Sequence, residues 1–127
     1  MKNILMIEDE VFFLKLYEER LRRDGFRFSG ATTGVEGVSK ASNEHPDLIL
    51  LDLVLPRKNG FDVLRDLKKN PATKNIPVIV LSNLGQEADI TEAMKLGAVE
   101  YLIKTETKIS EAVERIQKVL GNNASQK

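Results

Sequence analysis

A chain of 127 residues, 42% hydrophobic and 30% charged, has room for one globular domain with its own core and none for a second. Its longest apolar run is far short of the ~20 residues a membrane span needs, and MKNILMIEDE is too short an apolar start for a secretory signal, so the expected place is the cytoplasm. Nineteen Lys and Arg balance nineteen Asp and Glu, so no net field draws nucleic acid, and the lack of cysteine excludes disulfides, thiolate metal sites and a Cys nucleophile.

Short β-rich runs alternate with longer stretches of helical period. A first strand is predicted over 3–7 (NILMI), followed by a helix whose apolar face is Phe13, Leu16, Tyr17 and Leu21 and which Asp24 and Gly25 close. Phe12 and Leu14 fall off that face. The second strand, 26–30, leads into a helix over about 34–43 with a weak apolar face of Val35, Val38 and Ala41. A continuous apolar run, 48–51, forms the third strand and ends in the bare carboxylate of Asp52. Asn59 can cap the third helix, which shows Gly60, Val63, Leu64 and Leu67 on one face and stops at Asn70 and Pro71. The fourth strand, 78–81, precedes a helix carrying Ile90, Ala93 and Met94 that stops at Gly97. After the fifth strand, 100–103, a last helix starts near Thr107, buries Ile109, Ala112, Val113, Ile116 and Leu120, and stops at Gly121. The domain is thus expected to cover 1–121, with 122–127 (NNASQK) a disordered tail.

Strict alternation of strand and helix, with near-continuous apolar strands, means a parallel sheet covered by helices on both faces. Such open sheets bind ligands beyond the carboxyl ends of their strands, where the winding reverses. Those ends carry Glu8 and Asp9, Asp52, Ser82 and Lys104. In the order 2-1-3-4-5, strands 1 and 3 are neighbours about 4.8 Å apart, so the acid pair faces Asp52. Like charges about 4 Å apart repel by roughly 4 kcal/mol at an effective dielectric near 20, so the cluster must take up a proton or hold a cation. All donors are oxygen, which selects Mg²⁺ or Mn²⁺ over zinc.

That constellation suits phosphoryl transfer onto oxygen. Asp52 would be the nucleophile, Lys104 would neutralise the phosphoryl oxygens by reaching across on its long stem, and Ser82 would donate a hydrogen bond to one of them. Taken singly, an Asp ending a strand is usually a turn or cap residue and Lys104 a solvated strand end. Their joint placement on neighbouring strand ends is what resists that reading. A phosphatase of related fold usually needs a second acid two residues after the nucleophile, where Val54 stands. Flavin binding needs a phosphate cradle after the first strand, where Glu8, Asp9 and Glu10 would repel phosphate.

Over residues 2 to 121 the chain resembles a response-regulator receiver domain. The resemblance rests on Glu8 and Asp9, on Asp52-Leu53-Val54-Leu55-Pro56 with Gly60 following, and on Ser82, Tyr101 and Lys104. It implies a flavodoxin-like doubly wound sheet of five parallel strands, order 2-1-3-4-5, flanked by five helices. It further implies that Asp52 accepts a phosphoryl group from a sensor histidine kinase or a histidine phosphotransfer protein, and that Glu8, Asp9, Asp52 and the main-chain carbonyl of Val54 arrange the Mg²⁺, with Glu8 acting through water. Ser82 and Tyr101 would form the switch that remodels the surface of helix 4, strand 5 and helix 5 for an output protein or a missing effector domain. The expected state is a monomer able to dimerise on phosphorylation. Such a domain is a regulatory phosphoacceptor, with self-phosphorylation from small donors and self-dephosphorylation at most.

Departures from the family pattern carry expectations of their own. Thr105 follows Lys104 where Pro is common, and a trans bond is expected there because cis before a non-proline costs about 3–4 kcal/mol. Asn83 replaces a small residue, and Val54 and Leu84 offer water little polar guidance, so slow self-dephosphorylation is expected. The single His45, before Pro46, reads as a surface residue, so the phosphoryl donor is external.

Overall fold

The computed structural model describes residues 1–125. In chain order the elements are β1 (Asn3–Ile7), α1 (Val11–Arg23), β2 (Arg27–Ala31), α2 (Gly34–Glu44), β3 (Leu48–Leu51), α3 (Gly60–Lys69), β4 (Val78–Ser82), α4 (Glu87–Lys95), β5 (Glu100–Ile103) and α5 (Ile109–Ser125). A 3-10 turn, Lys104–Glu106, joins the last two. All strand pairs are parallel and the order is β2-β1-β3-β4-β5, the expected doubly wound arrangement. No cis peptide bond occurs among the described residues, so the Lys104–Thr105 bond is trans.

The central strands read as unbroken apolar runs because both of their faces are covered. Leu5, Ile7, Ile49, Leu51, Val78 and Val80 meet Val63, Leu64 and Leu67 of α3, Ala41 of α2 and Ala93 of α4 in one core. Their neighbours Ile4, Met6, Leu48, Leu50, Ile79 and Leu81 meet Tyr17 and Leu21 of α1 and Ala112, Val113, Ile116 and Leu120 of α5 in the other. Each fully buried Leu or Ile is worth ~2 kcal/mol relative to exposure, so the strands are held against sliding past their neighbours. Asn59 caps α3 as expected, its side chain accepting the Asp62 N–H, and Gly25 and Gly97 take positive φ after α1 and α4.

Several expectations need correction. Strand β2 begins one residue later and runs to Ala31, and β4 extends to Ser82. On α1 the packed stripe is Leu14, Tyr17 and Leu21 with Phe13, while Leu16 is 44% exposed. Leu14 lies over the edge strand, where a Cβ on Gly30 would come within 3.0 Å of it. The run VFFLKLY holds overlapping apolar stripes, and the position of β2 selects between them. Val35 and Met94 are also exposed; Gly37, whose added Cβ would overlap Ile7 of β1, and Ala41 carry the sheet-facing side of α2, and Ala93 that of α4. Finally, α5 passes through Gly121 to Ser125. An interior glycine costs a helix only ~1 kcal/mol, and Gly121 lacks the positive φ of a terminating residue. Of the expected tail, residues 126 and 127 lie outside the described part.

Gly60 is where this fold tolerates no side chain. A Cβ there would overlap Leu53 Cα and the Asp52 carbonyl oxygen, both backbone atoms directly after β3. The Gly60 N–H also donates to the Leu53 carbonyl at 2.9 Å, which closes the loop after Asp52. Gly60→Ala is therefore expected to lower stability by ~3 kcal/mol, read as a reduced urea midpoint. An unchanged midpoint would show that this loop is free to move.

Candidate functional site

The strand ends converge on one crevice. β1 is followed by Glu8, which is fully buried and whose N–H continues the ladder to the Ala31 carbonyl at 2.8 Å. β3 is followed by Asp52, 5% exposed, whose N–H donates to the Ile7 carbonyl at 3.0 Å. The acid therefore ends the strand without breaking it. The Val54 N–H donates to Asp52 Oδ1 at 3.1 Å, fixing the carboxylate by a turn two residues long. The other oxygen, Oδ2, accepts from Lys104 Nζ at 2.8 Å.

Lys104 is the hub. Its side chain is 5% exposed, and its ammonium contacts Glu8 Oε1 at 2.5 Å, Asp52 Oδ2 at 2.8 Å and Glu10 Oε1 at 2.9 Å. The flexible stem thus crosses from the end of β5 to the end of β3, as its length allows. Carboxylate oxygens of Glu8, Glu10 and Asp52 lie within 4.8 Å of one another. Asp9 is exposed and stands in the wall of a cavity of about 240 Å³, with Glu10, Asp52, Val54, Asn83 and Lys104. The structure therefore brings Glu8, Glu10 and Asp52 together around Lys104, and leaves Asp9, the expected partner of Glu8, outside that group. The sequence signal for Glu10 was present in the triplet Glu8-Asp9-Glu10, but which acid turns inward depends on how β1 enters α1.

Charge balance in the crevice is incomplete. One ammonium faces three carboxylates. Burial, aided by the Asp52 charge and opposed by Lys104 and the Glu10 N–H, pushes the Glu8 carboxyl up to about 7. Glu8 Oε1 touches the Lys104 ammonium but has no aligned hydrogen bond. Burial by itself would lower the Lys104 ammonium; the carboxylates of Asp52, Glu8 and Glu10 around it override that and hold the group above its usual value. A buried oxygen without a directed donor, in an all-oxygen set with surplus negative charge, fits a hard divalent cation.

The two switch candidates occupy the β4–β5 side. Ser82 is buried at the end of β4, and its Oγ accepts the Leu84 N–H at 3.4 Å. The Tyr101 hydroxyl donates to the Leu84 carbonyl at 2.5 Å, so both residues meet at the same loop. Burial, with the charges of Asp89 and Asp52, pushes the Tyr101 phenol up to about 12. An amphipathic edge-strand aromatic could equally have left its hydroxyl in water; here it is turned against the loop. His45 is exposed at the end of α2 with φ 50°, at the opposite end of the sheet from the crevice.

An open, doubly wound α/β sheet with a buried aspartate and a lysine in its switch-point crevice is the class of protein that this geometry defines. The chain belongs to the response regulator receiver domain family, whose pattern it matches over residues 4–117. It is 30% identical over 120 residues to the chemotaxis protein CheY of Thermotoga maritima, a match covering 92% of this chain and 98% of that one. It is 32% identical over 128 residues to the probable transcriptional regulator ycf27 of Porphyridium aerugineum, covering 96% of this chain but 52% of the relative. It thus spans about half the length of such longer relatives. The crystal structure of the receiver domain of sensor histidine kinase PA1611 from Pseudomonas aeruginosa PAO1 is 27% identical, with a TM-score of 0.86 over 94% of this chain and 98% of that one. A magnesium ion is coordinated in the active-site cleft of that protein. Membership makes this chain a receiver domain of two-component signalling, a phosphoacceptor module rather than a classical enzyme.

Proposed function

We propose that Asp52 accepts a phosphoryl group from the phosphohistidine of a sensor histidine kinase or a histidine phosphotransfer protein. The observation that carries this reading is the Asp52 carboxylate itself, buried at a strand end, aimed by the Val54 N–H and paired with the Lys104 ammonium at 2.8 Å. An Asp52 oxygen forms the new bond to phosphorus while the phosphorus–nitrogen bond breaks and its electron pair returns to the imidazole. Lys104 holds the charge that builds on the phosphoryl oxygens, and Ser82, at the end of the next strand, supplies a hydroxyl donor. Glu8, Asp9, Asp52 and the Val54 carbonyl are the oxygen donors for a Mg²⁺ or Mn²⁺, which would add charge neutralisation that one ammonium cannot supply alone. The magnesium in the cleft of the PA1611 receiver supports this assignment.

The output is a changed surface of α4, β5 and α5. A phosphoryl group adds charge and acceptor oxygens at Asp52, which favours an inward Ser82 and shifts the loop to which Tyr101 is bonded. An output protein, a second copy of the chain or an effector domain would read that surface. On α1, Phe12 is 82% exposed and would offer apolar contact to the helices of a kinase. Among the described residues no helix is long and apolar enough to cross a membrane. With Asn83 in the cavity wall and Val54 offering no polar group to water, the phosphoryl group is expected to stay for minutes or longer.

Incubation with Mg²⁺ and acetyl phosphate tests the reading. The wild type is expected to gain the mass of one phosphoryl group and Asp52→Asn none. Equal gain by both proteins, or gain by neither, overturns it.

A further inference from the structure

Resting on the phosphoacceptor reading above, we infer that Phe13 is a positioning residue for phosphoryl transfer, holding the Lys104 ammonium against the face of its ring. Lys104 Nζ lies 4.6 Å from the Phe13 ring centroid. The ring is itself fixed, tilted by 38° against buried Tyr17 with centroids 5.0 Å apart. Phe13 and Glu10 stand three residues apart at the start of α1, so one helical turn supplies two of the four groups around the ammonium.

The chemistry of the four groups differs in a way that matters for catalysis. The three N–H bonds of an ammonium are matched in number by the carboxylates of Glu8, Glu10 and Asp52. When Asp52 takes a phosphoryl group, Lys104 must turn at least one of those bonds to a phosphoryl oxygen. A fourth acceptor would compete for it. An aromatic face attracts the cation through its quadrupole without claiming an N–H, and its flatness lets the ammonium slide while keeping water off its flank. In a site where Lys104 is 5% exposed that attraction is weakly screened. The four-carbon stem, with many rotamers, is then confined to the arc that reaches Asp52.

The test separates positioning from packing. Phe13→Leu keeps an apolar side chain and removes the ring; Phe13→Tyr keeps the ring. With Mg²⁺ and acetyl phosphate, Phe13→Leu is expected to slow phosphorylation of Asp52 about tenfold with an intact unfolding transition, and Phe13→Tyr to restore the rate. In a Lys104→Met background Phe13→Leu should have no further effect. Independently of any phosphorylation, the ε-methylene protons of Lys104 should show an upfield ring-current shift by NMR in the wild type and Phe13→Tyr that vanishes in Phe13→Leu. An unshifted Lys104 resonance in the wild type, an unchanged rate in Phe13→Leu, or the same slowing with and without Lys104 overturns the inference about Phe13 while leaving Asp52 as acceptor. No uptake by the wild type overturns the phosphoacceptor reading and, with it, the role of Phe13 in transfer.

Discussion

Lys104→Met is expected to slow phosphoryl uptake by Asp52 about a hundredfold and to cost ~3 kcal/mol of folding stability near neutral pH without divalent cations. The stability loss follows from what remains: two carboxylates, Glu8 and Asp52, buried with side chains 1% and 6% exposed and no cation beside them. Breaking a buried pair by removing one partner is costly because the surviving charge keeps its desolvation penalty. Two routes limit the cost. Glu8 can take up a proton, so the loss should shrink toward pH 5, and Mg²⁺ can replace the missing charge, so the loss should shrink on adding it. Lys104 itself does not set this pH dependence, since its folded value lies above the ordinary lysine value and its stabilisation is complete below that value, lost only in strong alkali. Urea melts at both pH values, with and without Mg²⁺, read the effect. A loss that ignores both pH and Mg²⁺ would mean that Lys104 acts through packing rather than charge.

Glu8→Gln is expected to flatten the pH dependence of stability between about 4.5 and 7. The Glu8 carboxyl rises from its usual 4.5 to about 7, chiefly through burial. In that window the unfolded chain releases a proton that the folded chain retains, so stability falls as pH rises. The contribution is absent below 4.5, grows through the window and levels off above 7, reaching at most ~3 kcal/mol by linkage. Gln cannot ionise, so the variant should gain on the wild type as pH rises. A divalent cation requires the ionised carboxylate, so Mg²⁺ should raise the wild-type melting temperature more at pH ~7.5 than at pH ~5 and move the variant less at both. Parallel wild-type and variant curves across the window would show that Glu8 stays ionised throughout.

Much of this arrangement was legible in the residues. The run LILL at 48–51 can only be a strand covered on both faces, and alternation with helices then implies parallel pairing with every carboxyl end on one edge. Once that edge is granted, Asp52 and Glu8 must be neighbours, because β1 and β3 pair Ile7 with Leu51. Gly60 was readable as part of the α3 face; that a side chain there would overlap the Asp52 carbonyl oxygen and Leu53 Cα is decided by the fold. The helix registers were less legible. Periodicity in VFFLKLY puts Leu16 on the apolar face and Leu14 off it, yet the approach of β2 packs Leu14 against the sheet and leaves Leu16 in solvent.

The sequence by itself determined the sheet, its direction and the identity of the groups at its carboxyl edge, because strand period and burial are local properties that repeat along the chain. The tertiary structure decided where those groups point. Glu10 rather than Asp9 meets Lys104, Phe13 lies under the same ammonium, and the Tyr101 hydroxyl reaches the Leu84 carbonyl. Each of these contacts joins residues 17 to 94 positions apart, and only the β1–α1 turn distinguishes the adjacent acids Asp9 and Glu10. The direction of a side chain just past a strand end is set by the turn geometry and by the packing of the next helix on the sheet, and neither has a period to read.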